Sequence, residues 1–294
     1  MAKAVAETKT KKAPKKSLTR QMLKRLFRNK GAVAGLIVFV IIVALSLLAP
    51  VIAPYDYAKI NIPQMFQTPS AEHWFGTDHV GRDILSRILW GGRTSLQIGI
   101  LSALFAMVGA MIIGSIAGYF GGRVDNIIMR VLDVIQAMPG TLLSVVISAV
   151  LGNGLYETII ALSIGNLTTS ARVMRGSIMT IRKSEYVDAA VVDNTGRLSI
   201  ITKHLIPNAF SPMIVQATMG AAHAILVAAT LSFIGLGVQP PTPEWGAMLS
   251  EGRGYIRDYP HIITIPGIAI MLTVLSLNLL GDGLRDALDP KQKR

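Results

Sequence analysis

Two stretches of this 294-residue chain concentrate the side chains that could do chemistry. The first reads Gly76-Thr-Asp-His-Val-Gly-Arg-Asp83. Asp78 and Asp83 precede the amphipathic stretch Ile84–Trp90, and a carboxylate there can accept the free N–H groups of a starting helix. Gly76, Thr77, Gly81 and Arg82 complete that motif, whose other reading is contact with an external partner. The second stretch runs from Ser184 to Asn208. Ser184 can cap a short helix, and Glu185 in its first turn complements the helix dipole. Asn194 or Gly196 can end it, because both tolerate a left-handed backbone. A second short helix is expected from Gly196 to Ile206, stopping before Pro207. Tyr186, Val187, Ala190 and Val191 fall on one apolar face beside Asp188, and the small Ala189 and Ala190 let another surface come close. Two turns of helix do not persist alone in water. The chemistry on offer is therefore docking, not catalysis.

The groups that are missing narrow this further. The chain has no cysteine, so thiolate metal sites and cysteine nucleophiles are excluded. His73, His79, His204, His223 and His261 have no metal-ligand spacing. No Gly-x-x-x-x-Gly-Lys-Ser/Thr run occurs, so the phosphate-cradling loop of ATPases is absent. No nucleophile–base–acid arrangement can be read, and no catalytic or metal residue is named. Asp133 has Arg130 three residues before it, a spacing that predicts a local ion pair. Asn166, Gln216 and His223 fall inside hydrophobic blocks and are candidates to line a cavity, because polar groups at membrane depth must face protein or water.

The elements that must hold these groups are membrane helices. Hydrophobic residues make up 51% of the chain and charged residues 16%, against about 25% charged in ordinary soluble domains. Charge-free blocks cover 31–55, 94–122, 134–156, 158–171, 205–243 and 259–281, and a spanning helix needs about 20 apolar residues. Six spans are expected. The first is Gly31 to Ala53. The second lies within Thr94–Phe120 and carries Gly114-xxx-Gly118, a close-packing spacing. The third lies within Val134–Leu151, kinked by Pro139. The fourth, 158–171, is short and polar. The fifth lies within 205–243, and the sixth is about Ile262–Leu280. Six spans with both termini inside place 23 of the 29 basic residues on the cytoplasmic side, as the positive-inside rule demands. That rule also accounts for the net charge of +12 without nucleic acid. Residues 1–30 hold eleven Lys or Arg and one acid. Their run Ser17–Lys30 has the spacing of a helix lying on the lipid surface, after a disordered Lys9–Lys16.

The run Glu185-Tyr-Val-Asp-Ala-Ala190, a turn, then Leu205-Ile-Pro-Asn208 resembles the Glu-Ala-Ala loop of ABC-importer permeases. Asp188 stands where that family usually has Glu, and Asn194 where it usually has Gly. Three further runs look like the C-type permease subunit of dipeptide, oligopeptide and nickel importers. They are Phe75-Gly-Thr-Asp-His-Val-Gly-Arg-Asp-Ile-Leu-Ser-Arg87, Ser232–Arg253 with its Gln-Pro-Pro-Thr-Pro-Glu-Trp core, and Leu277-Asn-Leu-Leu-Gly-Asp-Gly-Leu-Arg-Asp-Ala-Leu-Asp-Pro290. The resemblance covers about residues 20–290.

It implies an all-α integral membrane protein of six transmembrane helices, with a type I, MetI-like permease core in helices two to six. The corresponding division is a basic tail at 1–30, a first helix at 31–53, an extracytoplasmic loop at 54–93, a permease domain at 94–284 and a tail at 285–294. The coupling loop is about 175–207. The implied partners are a homologous second permease, two ATPase subunits that hold the ATP and Mg, an extracytoplasmic solute-binding protein and membrane lipid. The implied place is a prokaryotic cell membrane, and the implied cargo is dipeptides or oligopeptides, with nickel or a metal chelate as the alternative. A self-contained ion-coupled transporter would need inverted repeats and buried carboxylates; Asp133 is the single carboxylate near a span interior.

Overall fold

A computed structural model describes residues 24–288. The expected disordered start and most of the expected surface helix lie outside the described residues. Within them every regular element is helical. We number them α1 Lys30–Leu47, α2 Ile84–Phe120, α3 Gly122–Gln136, α4 Gly140–Leu151, α5 Leu155–Ile181, α6 Glu185–Val192, α7 Ile206–Phe233, α8 Trp245–Gly252 and α9 His261–Leu288.

Four helical stretches are long and apolar enough to cross a membrane, and a fifth results if α3 and α4 are taken together. The expected six is not reached by these criteria. α5 has 27 residues, or about 40 Å at 1.5 Å per residue, but its polar residues keep it below an apolar span. The third expected span differs more. Pro139 does not kink one helix; α3 and α4 meet at 82° as separate rods. Proline lacks the N–H that would continue α3, and it drives the preceding residue out of helical geometry. α4 alone rises only about 18 Å.

α2 starts at Ile84, well before the charge-free block at Thr94, because Asp83 caps it by accepting the Ser86 N–H at 2.7 Å. The helix that was to stop before Pro207 does not stop. Arg197–Ser199 leads into wide π turns at Ile200–Leu205 and then into α7. In these turns Ile206 N–H bonds back to the Ile201 carbonyl, so the rod passes the missing N–H of Pro207 intact.

The seam between α2 and α5 is the most extensive in the molecule. Gly114 and Gly118 make it possible. A Cβ at Gly114 would lie 2.6 Å from the Ala171 carbonyl oxygen, and one at Gly118 would lie 2.9 Å from that of Arg175. α1 packs mainly on α9, with Gly35 against the Ser276 carbonyl. Residues 24–26 are helical, and Leu26 is buried against Ala32, Leu284 and Ala287. Two apolar cores result. One, near α6, gathers Leu132, Met174, Ile178, Ile200 and Met213. The other, near α8, gathers Ile84, Ile225, Trp245, Met248 and Ile270.

Candidate functional site: a docking knob, a charge cluster and a polar cavity

At one end of the bundle α6 stands out from the core. Glu185 and Asp188 occupy its first turn. Ser184 holds the extended cap backbone but does not cap with its side chain; its hydroxyl donates to the Ile181 carbonyl at 2.6 Å. The C-terminus closes on Asn194 at φ +55°. Thr195 N–H bonds to the Ala190 carbonyl and Asn194 N–H to that of Val191, the paired bonds of a left-handed helix stop. Gly196 sits at φ −59° and supplies no left-handed residue. Pro207 lies exposed in the first turn of α7.

The expected apolar face is split. Val187 is buried and Ala190 half-buried against the core with Ile200 and Leu205. Tyr186, Asp188, Ala189 and Val191 are exposed. Val192 and Leu198 are also exposed, at 88% and 74%. A narrow strip anchors the knob, and the wide apolar remainder faces away from this chain.

At the opposite end, charges turn inward. Asp78 does not cap α2. Its Oδ2 accepts from Arg82 Nε at 2.6 Å and from Arg87 at 2.5 Å, and its Oδ1 accepts the backbone N–H groups of Val80 and Arg82. Glu251 of α8 completes the cluster, taking Arg82 at 2.9 Å and Arg87 at 2.7 Å. Burial pushes the Asp78 carboxyl up, but Arg87 and Arg82 together with the two N–H donors outweigh it and hold the group below its ordinary range. Asp83 binds Ser86 with one oxygen and His73 Nδ1 with the other, at 2.9 Å. Thr77 is buried and ties the Gln64 and Gln67 backbone. Gly76 and Gly81 turn with φ near +78° and +77° where other backbone crowds them.

Asp78, His79 and Glu251 also lie close enough to share a metal ion. The two guanidiniums already occupy the carboxylate oxygens that an ion would need, so the cluster is an ion-pair network. Glu244 and Glu251 were not singled out from sequence. Glu244 caps α8 and accepts from Ser95, which fixes Trp245 so that its indole N–H reaches the Ile88 carbonyl. No local spacing marks these partners, because they lie about 150 residues or more from the groups they bind.

Between the ends, Asn166, Gln216 and His223 line one cavity of about 450 Å³ with Thr169 and Asn278. A second space of about 260 Å³ shares Asn166, Thr169 and His223 and adds Gln136 and Thr141. A third, toward α6, shares Gln216 and adds Arg285. Asp133 lies beside this path but does not pair with Arg130. It accepts from Arg172 of α5 at 2.6 Å, while Asp125 holds Arg175 with two bonds. α5 supplies the stronger geometry because it runs alongside α3, which i, i+3 spacing cannot foresee.

Comparison with known proteins settles the family. A profile described as "binding-protein-dependent transport system inner membrane component" matches residues 110–294. The chain belongs to this family of importer permeases. A second profile, the "N-terminal TM domain of oligopeptide transport permease C", matches residues 17–69. The dipeptide transport system permease protein DppC of Alkalihalophilus pseudofirmus is 44% identical over 274 residues, covering 93% of this chain and 90% of the relative. The oligopeptide transport system permease protein OppC of Bacillus subtilis is 39% identical over 285 residues, covering 96% and 93%. In fold, the permease resembles a chain of the inward-facing MetNI methionine ABC transporter. That likeness has a TM-score of 0.57 at 16% identity, over 69% of this chain and 97% of that one. The permease is thus a multi-pass inner-membrane component of an ABC importer.

Proposed function

We propose that this permease forms half of a translocation path for dipeptides or oligopeptides, and that α6 carries the stroke of a separate ATPase. The permease names of its relatives support the cargo. The observation that carries the coupling role is the exposed apolar surface of α6, held on a short anchored helix whose stop is fixed by two backbone bonds. A coupling element must move as a rigid body, since slack would dissipate the stroke.

In this reading α5 is a sixth, polar span set against the path. The α6 end and both termini lie in the cytoplasm, and the α8 end faces outward toward a solute-binding protein. A homologous permease supplies the other wall. Two ATPase subunits bind ATP and Mg, and Glu185, Tyr186, Asp188, Ala189 and Ala190 seat in one of them. Nickel as cargo gains no support from the cavity, whose lining offers one imidazole and no carboxylate.

The test uses the absence of native cysteine. A single thiol introduced by Ala189→Cys, cross-linked in native membranes, is expected to capture an ATPase subunit. Capture of none overturns the coupling role. The purified chain alone is expected to hydrolyse no ATP.

A further inference from the structure

His223 stands alone on its wall. It sits midway along α7, is exposed, and lines both of the two connected cavities. Every element around it contributes polar side chains without charge. Gln136 comes from the end of α3, Thr141 from α4, Asn166 and Thr169 from α5, Gln216 from α7 and Asn278 from α9. No Asp, Glu, Lys, Arg or Tyr lines either space. The nearest charged lining group along the path is Arg285, in the adjoining cavity that His223 does not reach.

Such a wall offers donors and acceptors for amide groups and no fixed charge to favour one peptide over another. Imidazole is the side chain that ordinarily gains or loses its proton between about pH 5 and 8. An ionisable group in a membrane helix that faces a cavity is also placed to act on what passes. We infer that His223 is the charge-selecting residue of this half of the path. Neutral, it presents one donor and one acceptor and admits peptides of either sign. Protonated, it places the wall's single positive charge against the cargo, slowing cationic peptides and favouring anionic ones. The inference rests on the peptide-path reading above and adds its rule of selection.

The experiment measures uptake of labelled dialanine, dilysine and diglutamate by the complete importer in intact cells. Membrane content of each variant is normalised by immunoblot. His223→Lys is expected to lower dilysine uptake relative to dialanine by about tenfold, the scale of a like charge about 10 Å away at intermediate dielectric. His223→Gln is expected to keep all three within about twofold. It is also expected to abolish the fall in the dilysine-to-dialanine ratio that the unsubstituted importer shows between about pH 7 and 5. A merely structural histidine would not move that ratio.

Equal effects of His223→Lys on all three peptides, or an unchanged pH dependence in His223→Gln, overturn the inference. If His223→Lys does not reach the membrane, His223→Gln and its pH profile decide alone. His223→Cys separates this inference from the reading it rests on. The introduced thiol is expected to react with a charged, membrane-impermeant thiol reagent in inverted vesicles, and no reaction overturns the placement of the residue on the wall. Reaction together with no uptake of any peptide by the unsubstituted importer sinks the peptide reading, and with it a selection rule stated for peptides.

Discussion

The two ends of the bundle use charge in opposite ways. Near α8, two carboxylates and two guanidiniums close on one another, and Asp78, Arg82 and Arg87 are all buried. Near α6, Glu185 and Asp188 are exposed and bind nothing across the chain, while Val187 alone is fully buried. The first arrangement ties the loop before α2 to α8 and resists deformation. The second leaves its groups ready for another molecule. A helix end whose polar groups are satisfied within the chain is scaffold; one whose apolar and charged groups are left over is a contact surface.

The sharpest way to break this contrast is to reverse charge at α6. Asp188→Arg combined with Ala189→Glu is expected to reduce import at least about tenfold while shifting stability by no more than about 0.5 kcal/mol, since both positions are surface sites. Uptake assays beside thermal unfolding in detergent read the two effects. Near α8 the pattern should invert. Glu251→Ala leaves Arg82 and Arg87 sharing one carboxylate, and breaking a buried pair costs about 3–5 kcal/mol. The melting temperature should fall clearly, and transport per folded molecule should change little.

pH sharpens the same contrast. Asp78 is held below its ordinary value of 3.8. A depressed carboxyl contributes stability that is present above its unfolded pKa and lost as pH falls through the folded one. The α8 cluster should therefore contribute constant stability from pH 5 to 8, with its loss beginning only below about pH 4; melting curves across that range check it. The smallest expected effect is at Asn194. Replacing it by Gly relieves the left-handed backbone and should raise stability by about 0.5 kcal/mol, with import unchanged.

What the sequence disclosed follows the reach of each interaction. Asp83 was legible as a cap because its partner, Ser86, is three residues away. Asp78 was not, because one oxygen is shared with Arg87 and the cluster closes through Glu251, on a different helix. Pro139 marked an interruption, but the 82° between α3 and α4 is not written at the proline. It accompanies the two ion pairs that hold α3 on α5. The apolar spacing of α6 suggested one face, yet so short a helix at the bundle's end offers the core only Val187 and part of Ala190. Gly114 and Gly118 marked a seam without naming the helix on its other side. Asn166, Gln216 and His223 were each readable as polar residues in apolar blocks, and only folding brings them to one cavity.

The packing of α1 on α9 carries a consequence for synthesis. The first hydrophobic rod to leave the ribosome finds its principal neighbour only when the last is made. Until then it must wait in lipid, with the stripe around Gly35 uncovered. Ile37, Val40, Ile41 and Leu45, which remain exposed even in the finished bundle, suit it to that wait. A ribosome that terminates early leaves this stripe open, giving membrane proteases a simple mark of an unfinished chain.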